Sequence, residues 1–312
     1  MIPVLAAMLL VFSAIDVFAA PPRAVSKVPM VMVGDRLVDA AFNLGVLPEG
    51  MVIRMSLWPM GGEMAHAAQV LGCPNAVMHK KPKALPTFLK ERGITKVLVE
   101  KNAKPCLYVD LTYDKIADIV KEVPGVSLEY IDFDQGEVPA IKELAAKLGL
   151  EEKGAAVIAA YEAREAKMKT ALPAQGLGKR VVVLAGVYSE EVGTKFTRVE
   201  APGGYTDAYI LKPLGCVNAA DAMIQDPKDI EKGHVMARDL SSLIKANPDV
   251  IAITGDAYAV QKTLSDNIKR HPELAKIPAL QKGAVYSLPF YANNGVLEYP
   301  NILRQWADAL KN

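Results

Sequence analysis

Aromatic and charged residues follow the apolar runs of this sequence at the points where the runs end. Strings such as RVVVLAG and DVIAIT have the composition of buried strands, and each stops in small or polar residues. In open α/β sheets, ligands bind beyond the carboxyl ends of the strands, where loops are free to carry polar groups. Stacking aromatic rings, with Lys195 and Arg198 to pair with carboxylates, would suit a flat and largely apolar ligand. The candidate ligand-binding residues are Trp58, Glu100, Tyr108, Tyr188, Lys195, Arg198, Tyr205, Asp256, Tyr258, Phe290 and Tyr291. A part of these aromatic residues is expected to fill cores instead, as is Tyr209.

The sequence lacks the patterns that usually carry catalysis. It contains no GxSxG, no HExxH and no phosphate-binding glycine loop. The four histidines are scattered, and His271 precedes a proline in a polar segment typical of a surface. These absences are compatible with a protein that binds without chemistry, and no cofactor of the protein's own is expected.

A group of soft metal ligands lies in MGGEMAHAAQVLGCPNAVMHKK. Sulfur and imidazole ligands of this kind would suit copper or another thiophilic ion. Their spacing fits no single rigid site, and methionine commonly fills gaps in cores, so core packing is the favoured interpretation. The residues concerned are Met60, Met64, His66, Cys73, Met78 and His79.

Length and charge restrict the class of protein. A chain of 312 residues exceeds what one hydrophobic core usually serves, so two domains are expected. Its net charge of +1 gives no reason to expect a nucleic-acid partner.

The N-terminus indicates export, and the cysteines leave two interpretations open. Residues 1–19 form an apolar run that ends in small residues, which predicts a signal peptide cleaved before Ala20. The run lacks a basic start, so a short membrane anchor is the alternative. No cysteine near the cleavage point could take a lipid, which favours a free periplasmic protein. Cys73 and Cys106 could form a disulfide, or all three cysteines could be small buried thiols, with Cys216 in a buried stretch.

Apolar strands alternate with amphipathic helices along the chain, which is typical of α/β proteins. The predicted strands are Val28 to Val33, MVIRMSL, KVLVE, LEYIDF, RVVVLAG, DVIAIT and AVYSLP, and a last helix is predicted from Tyr299 to Leu310. Residues 151–172 predict one long helix that could bridge two lobes. LPTFLKERGITKVLVE and LSSLIKANPDVIAITG share one order of helix, turn and buried strand, so the lobes should be similar. We therefore expect an α/β fold of two mostly parallel sheets flanked by helices, with lobes at 20–150 and 178–312 and a linker at 151–177.

Four segments in order are similar to those of one known family: VGDRLVDAAFNLGV, NPDVIAITGD, GGYTDAYILKPLGCVNAAD and LAKIPALQKGAVYSLP. Together they resemble the periplasmic solute-binding proteins of ABC importers for cobalamin, iron-siderophores and haem. VGDRLVDAAFNLGV resembles the first strand and helix of that family, and NPDVIAITGD matches the Pro-Asp strand of its second lobe. GGYTDAYILKPLGCVNAAD resembles the helix that runs into a Gly-Gly-Asn-like turn. LAKIPALQKGAVYSLP resembles the late helix, turn and strand.

The resemblance implies capture of an iron chelate, haem or corrinoid, in a cleft between two lobes, by a monomeric periplasmic protein that delivers it to an inner-membrane permease. A two-lobed chelatase that inserts metal into a tetrapyrrole is the enzyme alternative, and it would need a histidine at a strand end. A binding protein for a free transition-metal ion is a third alternative, and it would need histidine and carboxylate ligands on both lobes.

The resemblance also implies docking residues, and here the sequence departs from the family. Family members carry a surface glutamate on each lobe, which pairs with arginines of the permease. In this chain Lys83 stands near the first position, with only Glu91 nearby, and Lys212 stands at the second. We expect a basic docking face, since lysines would repel arginines. The partner could then be a permease of different charge or a soluble periplasmic enzyme.

Overall fold

A computed structural model describes residues 25–189, 193–290 and 297–311 of the protein. The first sheet is entirely parallel and has the strand order β3-β2-β1-β4-β5. Its strands are β1 (Ser26–Val33), β2 (Val46–Val52), β3 (Gln69–Gly72), β4 (Lys96–Lys101) and β5 (Ser127–Asp132). The helices between and after them are α1 (Asp35–Asn43), α2 (Pro59–Met64), α3 (Ala84–Arg92), α4 (Asp114–Lys121) and α5 (Glu137–Leu148). We call this part of the molecule the first lobe.

The second sheet is mixed and has the order β11-β10-β6-β7-β9, with the short strand β8 also paired to β6. Its strands are β6 (Arg180–Ser189), β7 (Thr194–Glu200), β8 (Val217–Asn218), β9 (His234–Met236), β10 (Val250–Gly255) and β11 (Val285–Ser287). Its helices are α7 (Leu243–Ala246), α8 (Ala257–Arg270), α9 (Pro278–Gln281) and α10 (Tyr299–Lys311), together with a π-helical turn at Asp207–Leu211. We call this part the second lobe.

Each sheet has an apolar core on both of its faces, which explains why its strands are apolar runs. In β1, Met32 packs into one core of the first lobe, while Val31 and Val33 pack into the other. In β10, Ala252 packs into one core of the second lobe and Ile253 packs into the other.

One helix, α6 (Glu151–Ala171), joins the two lobes. Its Tyr161 is part of a core of the first lobe, and its Met168 is part of a core of the second. The helix has 21 residues, which corresponds to about 30 Å. It therefore packs against both lobes and fixes the backbone connection between them.

The predicted α/β fold with two sheets is confirmed, but one strand was misplaced. The strand expected at MVIRMSL lies at Val46–Val52 instead, and only Met51 and Val52 are shared. Pro48 and Glu49 hide this strand in the sequence, because proline cannot donate a hydrogen bond to a neighbouring strand. The sheet accommodates Pro48 beside an irregularity in the pairing of β1 with β2.

The export signal predicted at residues 1–19 lies outside the described residues. Among the residues that the structure describes, no helix is both long enough and apolar enough to cross a membrane. Cys73, Cys106 and Cys216 are all free thiols, and Cys216 is buried as predicted.

Candidate functional site

The end of the second sheet brings four of the candidate residues together. The Lys195 ammonium lies 3.7 Å from a carboxylate oxygen of Asp256. It also lies 5.3 Å from the ring centre of Tyr188 and 4.3 Å from that of Tyr258. Both rings are largely exposed, at 49% for Tyr188 and 59% for Tyr258. We call these four residues the rim cluster.

The rim cluster is positioned by a hairpin that extends beyond the neighbouring strand. β10 pairs with β6 only as far as Gly186, whereas β6 and β7 remain paired out to Tyr188 and Lys195. The start of α8 packs against the hairpin at Gly186, because the Asp256 main-chain N–H donates to the Gly186 carbonyl at 2.9 Å. A side chain at Gly186 would lie within 1.9 Å of the Asp256 carbonyl oxygen, so this approach requires glycine.

Asp256 has a structural role as well as its contact with Lys195. Its other carboxylate oxygen caps α8 by accepting the Ala259 main-chain N–H at 2.8 Å. The cap fixes the carboxylate, which in turn holds the lysine between the two rings. A cation held over aromatic faces at an exposed edge can receive an anionic group of a ligand.

Arg198 lies on the other face of β7, away from the rim cluster. Its guanidinium lies 5.4 Å from the ring centre of Phe196, and its buried Nε atom has no hydrogen-bond partner among the described residues. Burial, together with the nearby charge of Arg198, lowers the pKa of His234. Arg198 is therefore a half-buried cation, and its planar guanidinium is the kind of group that binds a carboxylate.

Two candidate tyrosines form contacts between the lobes. The Tyr205 hydroxyl accepts hydrogen bonds from Nη1 of Arg54 at 2.8 Å and from the main-chain N–H of Leu107 at 3.1 Å. The rings of Tyr108 and Tyr205 meet edge to face, with centres 5.1 Å apart. Burial raises the pKa of Tyr205 to about 12 and raises that of Tyr108 further, so both hydroxyls keep their protons. Tyr205 is only 1% exposed.

Arg54 and Asp35 belong to this interlobe contact, and sequence analysis did not select them. Asp35 is fully buried at the start of α1 and forms an ion pair with Nε of Arg54. It also accepts the main-chain N–H of Arg54 at 2.7 Å. The sequence contains one signal for this ion pair, which is the arginine within the otherwise apolar MVIRM. A charge in a buried segment requires a partner of opposite charge.

Glu100 lies in β4 and is buried inside the first lobe, against the start of α1. Its carboxylate accepts the main-chain N–H groups of Arg36 at 2.9 Å and Leu37 at 3.4 Å. Burial raises the pKa of Glu100. Gly34 leaves room for it, because a side chain at Gly34 would lie 2.4 Å from the Glu100 side chain and φ is +118° there.

The second lobe contains a comparable buried carboxylate at Glu200, which sequence analysis did not select. One oxygen of Glu200 accepts the Thr206 main-chain N–H at 2.7 Å. The other is buried and has no hydrogen-bond partner among the described residues. Burial raises the pKa of Glu200 to about 7, although the contacts with Thr206 oppose this shift.

The remaining candidate residues have varied environments. Trp58 is 5% exposed and packs in a core of the first lobe, whereas Phe290 is half-buried after β11. Tyr291 lies outside the described residues. Tyr209 packs against a core of the second lobe, as expected. The three residues assigned to docking, Lys83, Glu91 and Lys212, are all exposed.

The two buried methionines among the soft metal ligands of residues 60–81 lie apart from each other. Met64 and Met78 are buried in different cores of the first lobe. Within the described parts of the chain, no group of three or more His, Cys, Asp or Glu side chains could hold a metal ion. Core packing therefore accounts for both buried methionines.

The sequence model of the periplasmic binding protein family matches residues 102–292, more than half of the chain. The chain belongs to the periplasmic binding protein family. This family consists of binding proteins rather than enzymes, which favours solute capture over the chelatase alternative. The match includes the rim cluster, Arg198 and both interlobe tyrosines. No curated protein matches the sequence of this periplasmic binding protein.

Solved structures of other periplasmic binding proteins share the fold. The haem-binding protein BhuT, in complex with two haems, aligns with a TM-score of 0.54 and 20% identity over 91% of this chain and 100% of its own. RhuT, a haem-binding protein from Roseiflexus sp. RS-1, aligns with a TM-score of 0.54 and 18% identity over 92% and 98%. The iron-uptake system-binding protein FeuA from Bacillus subtilis aligns with a TM-score of 0.54 and 16% identity over 90% and 93%. At these identities the likeness is one of fold.

Proposed function

We propose that this periplasmic binding protein is the substrate-binding component of an ABC importer, and that it captures an iron chelate, haem or corrinoid between its lobes. The observation that carries the proposal is the rim cluster, in which two exposed tyrosine rings flank a lysine at the carboxyl ends of β6 and β10. Exposed aromatic rings at the ligand-binding edge of an α/β sheet offer stacking surface to a flat ligand.

The charges near the strand ends support an anionic ligand. Lys195 presents one cation at the rim, and Arg198 presents a second on the opposite face of the same strand. Haem carboxylates and catecholate oxygens are the kind of group that such cations bind. The names of BhuT and RhuT, which state that they bind haem, and of FeuA, which states a role in iron uptake, agree with this ligand class.

We also propose how the protein is delivered and docked. Residues 1–19 would be removed as a signal peptide, leaving an untethered chain that begins near Ala20, with lobes at 20–150 and 178–312 joined by a linker at 151–177. Lys83 and Lys212 would form a basic docking face for the inner-membrane partner, with Glu91 near the first of them. Mass spectrometry of periplasmic material tests the cleavage, and retention of residues 1–19 in the membrane fraction would contradict it.

A ligand panel tests the proposed function. The purified mature protein is titrated with haemin, a ferric tris-catecholate and cyanocobalamin, and separately with Mn²⁺, Zn²⁺ and Cu²⁺. We expect one of the three large ligands to bind at one per chain, with a change in absorbance and a rise in Tm, since a ligand that binds only the folded state stabilises it. Stabilisation by free divalent ions alone would instead favour a metal-ion carrier.

A further inference from the structure

Tyr108 and Tyr205 make reciprocal hydrogen bonds between the lobes. The Tyr205 hydroxyl accepts the N–H of Leu107, which is next to Tyr108 in the chain, at 3.1 Å. The Tyr108 hydroxyl in turn accepts the N–H of Tyr205 itself at 3.4 Å. Each tyrosine thus bonds to the backbone that carries the other, and their rings meet edge to face.

Three further contacts fix this pair in place. Arg54, held by the buried Asp35, donates to the Tyr205 hydroxyl at 2.8 Å. Tyr209 stacks on the other side of the Tyr205 ring, with centres 6.1 Å apart. Gly233 of the second lobe touches the Tyr108 hydroxyl so closely that an added Cβ would lie 2.3 Å from it. Both rings are therefore bounded by fixed neighbours.

Separation of the lobes would undo the burial of this contact. Arg54 and Tyr205 are almost completely buried, so opening exposes an aromatic ring to water. Water would replace the two hydrogen bonds that the Tyr205 hydroxyl accepts, and Arg54 would keep its ion pair with Asp35, so the main cost is the lost aromatic burial. The contact therefore favours the arrangement in which the two lobes touch.

The tyrosine pair lies well below the rim cluster. The Thr206 N–H bonds to Glu200, which places Tyr205 beside the inner end of β7, whereas Lys195 stands at its outer end. At the rise of an antiparallel strand, the five positions from Lys195 to Glu200 span roughly 17 Å. Side chains of the two lobes thus meet at the level of Tyr205.

We propose that Tyr108 and Tyr205 form an interlobe clasp that holds the lobes together without ligand and forms the floor of the cleft. The clasp itself depends only on the contacts above. Its consequence, that the ligand is confined to the outer part of the cleft near Lys195, rests on the proposed function. In this arrangement the ligand is bound by stacking and charge pairing at the rim.

Hydrogen exchange of the ligand-free protein tests the clasp. The full mature chain and its Tyr205→Phe and Tyr108→Phe variants are compared by mass spectrometry of peptides from residues 102–113 and 201–209. We expect exchange about tenfold faster in these peptides for each variant. Tyr205→Phe removes the acceptor of the Leu107 amide, and Tyr108→Phe removes the acceptor of the Tyr205 amide. Tyr130→Phe, at an exposed position of β5, is the matched control and should leave both peptides unchanged.

A second variant reaches the clasp from the opposite lobe without changing a tyrosine. Gly233→Ala places a methyl group against the Tyr108 hydroxyl. Gly283→Ala is the control, because this glycine also has a positive φ but has no neighbour that an added methyl group would touch. Faster exchange at residues 102–113 in Gly233→Ala but not in Gly283→Ala supports the clasp. Wild-type exchange in Tyr205→Phe, Tyr108→Phe and Gly233→Ala alike would overturn it.

Ligand titration tests the floor separately from the clasp. With haemin as the probe, Tyr205→Phe should keep the Kd within about twofold of wild type. A loss of tenfold or more would show that haemin reaches Tyr205, and it would overturn the confinement to the rim. If wild-type protein binds neither haemin nor the other probes, the proposed function fails, and the exchange measurement alone decides the clasp.

Discussion

Lys195 and Arg198 lie on opposite faces of β7, although only two residues separate them. Lys195 faces the side of α8, where it contacts Asp256 and Tyr258, and Thr197 faces the same side through its hydrogen bond to Thr263. Arg198 faces the other side, next to His234. We therefore predict that the two cations contact different groups of a ligand and that their removal has different effects.

Arg198→Gln is expected to weaken binding of an anionic ligand strongly. A charge-assisted hydrogen bond contributes about 1.5–3 kcal/mol, so the Kd of haemin should rise by one to two orders of magnitude. Lys195→Gln should cost less, because Asp256 already neutralises that lysine at the exposed rim. Isothermal titration measures both, and Lys262→Gln on the exposed surface of α8 serves as the control. Equal losses in the two variants would contradict the assignment of Arg198 as the main anion contact.

Tyr258→Ala is expected to weaken haemin binding without loss of stability. An aromatic contact contributes about 0.5–1.5 kcal/mol beyond its buried area, which corresponds to a Kd roughly three- to tenfold higher. The ring is 59% exposed, so its removal should leave the Tm nearly unchanged. Fluorescence titration and thermal melts of the same samples check both parts. A Tm that falls while affinity is kept would indicate a structural role instead.

Glu200 should make the stability of the protein depend on pH. Its folded pKa of about 7 is above the usual value of 4.5, so the folded state binds the proton more tightly than the unfolded state does. This contribution is fully present below pH 4.5 and is lost as the pH rises through 7. The loss is on the order of 3 kcal/mol, because one pKa unit corresponds to about 1.4 kcal/mol.

Denaturant unfolding of the wild type and Glu200→Gln from pH 4 to pH 8 measures this contribution. Gln keeps an acceptor for the Thr206 N–H but cannot ionise, so the variant should lose less stability as the pH rises. Burial also raises the pKa of Glu100, so this residue too makes stability fall as the pH rises. Its contribution is the same in the wild type and in Glu200→Gln, so it cancels when the two pH profiles are subtracted. Parallel pH profiles for the two proteins would exclude an ionising Glu200.

Charge reversal at Lys83 and Lys212 should weaken docking and leave ligand binding intact. Like charges across an interface cost several kcal/mol, so a basic face requires an acidic partner surface. Lys83 is the residue before α3, where a glutamate is favourable to the helix, and the variant should therefore fold normally. Association with the cognate permease in nanodiscs should weaken and become less dependent on salt. The exposed pair Lys153→Glu and Lys282→Glu is the control, and equal effects of both pairs would exclude a specific docking face.

Much of the fold could be predicted from local patterns in the sequence. β6 and β10 are apolar runs because they are buried on both faces, and α6 begins and ends close to the predicted residues because it must contact both lobes. The rim cluster was also foreseeable, since parallel strands end at one edge and bring Asp256 and Tyr258 toward Tyr188. β2 was misplaced because Pro48 and Glu49 interrupt its pattern, and only pairing with β1 makes it a strand.

Tertiary structure alone decided which candidate side chains lie together at the rim and which contact the other lobe. The register of the β6–β7 hairpin sets Tyr188 opposite Lys195 and Ala185 opposite Arg198, and that register separates two cations that the sequence places together. Tyr108 and Tyr205 are candidate ligand contacts in the sequence because they follow strands, but the hydroxyl of each accepts a hydrogen bond from the other lobe. A strand period can be read within ten residues, whereas a hydrogen bond between residues 107 and 205 depends on how two separately packed lobes meet.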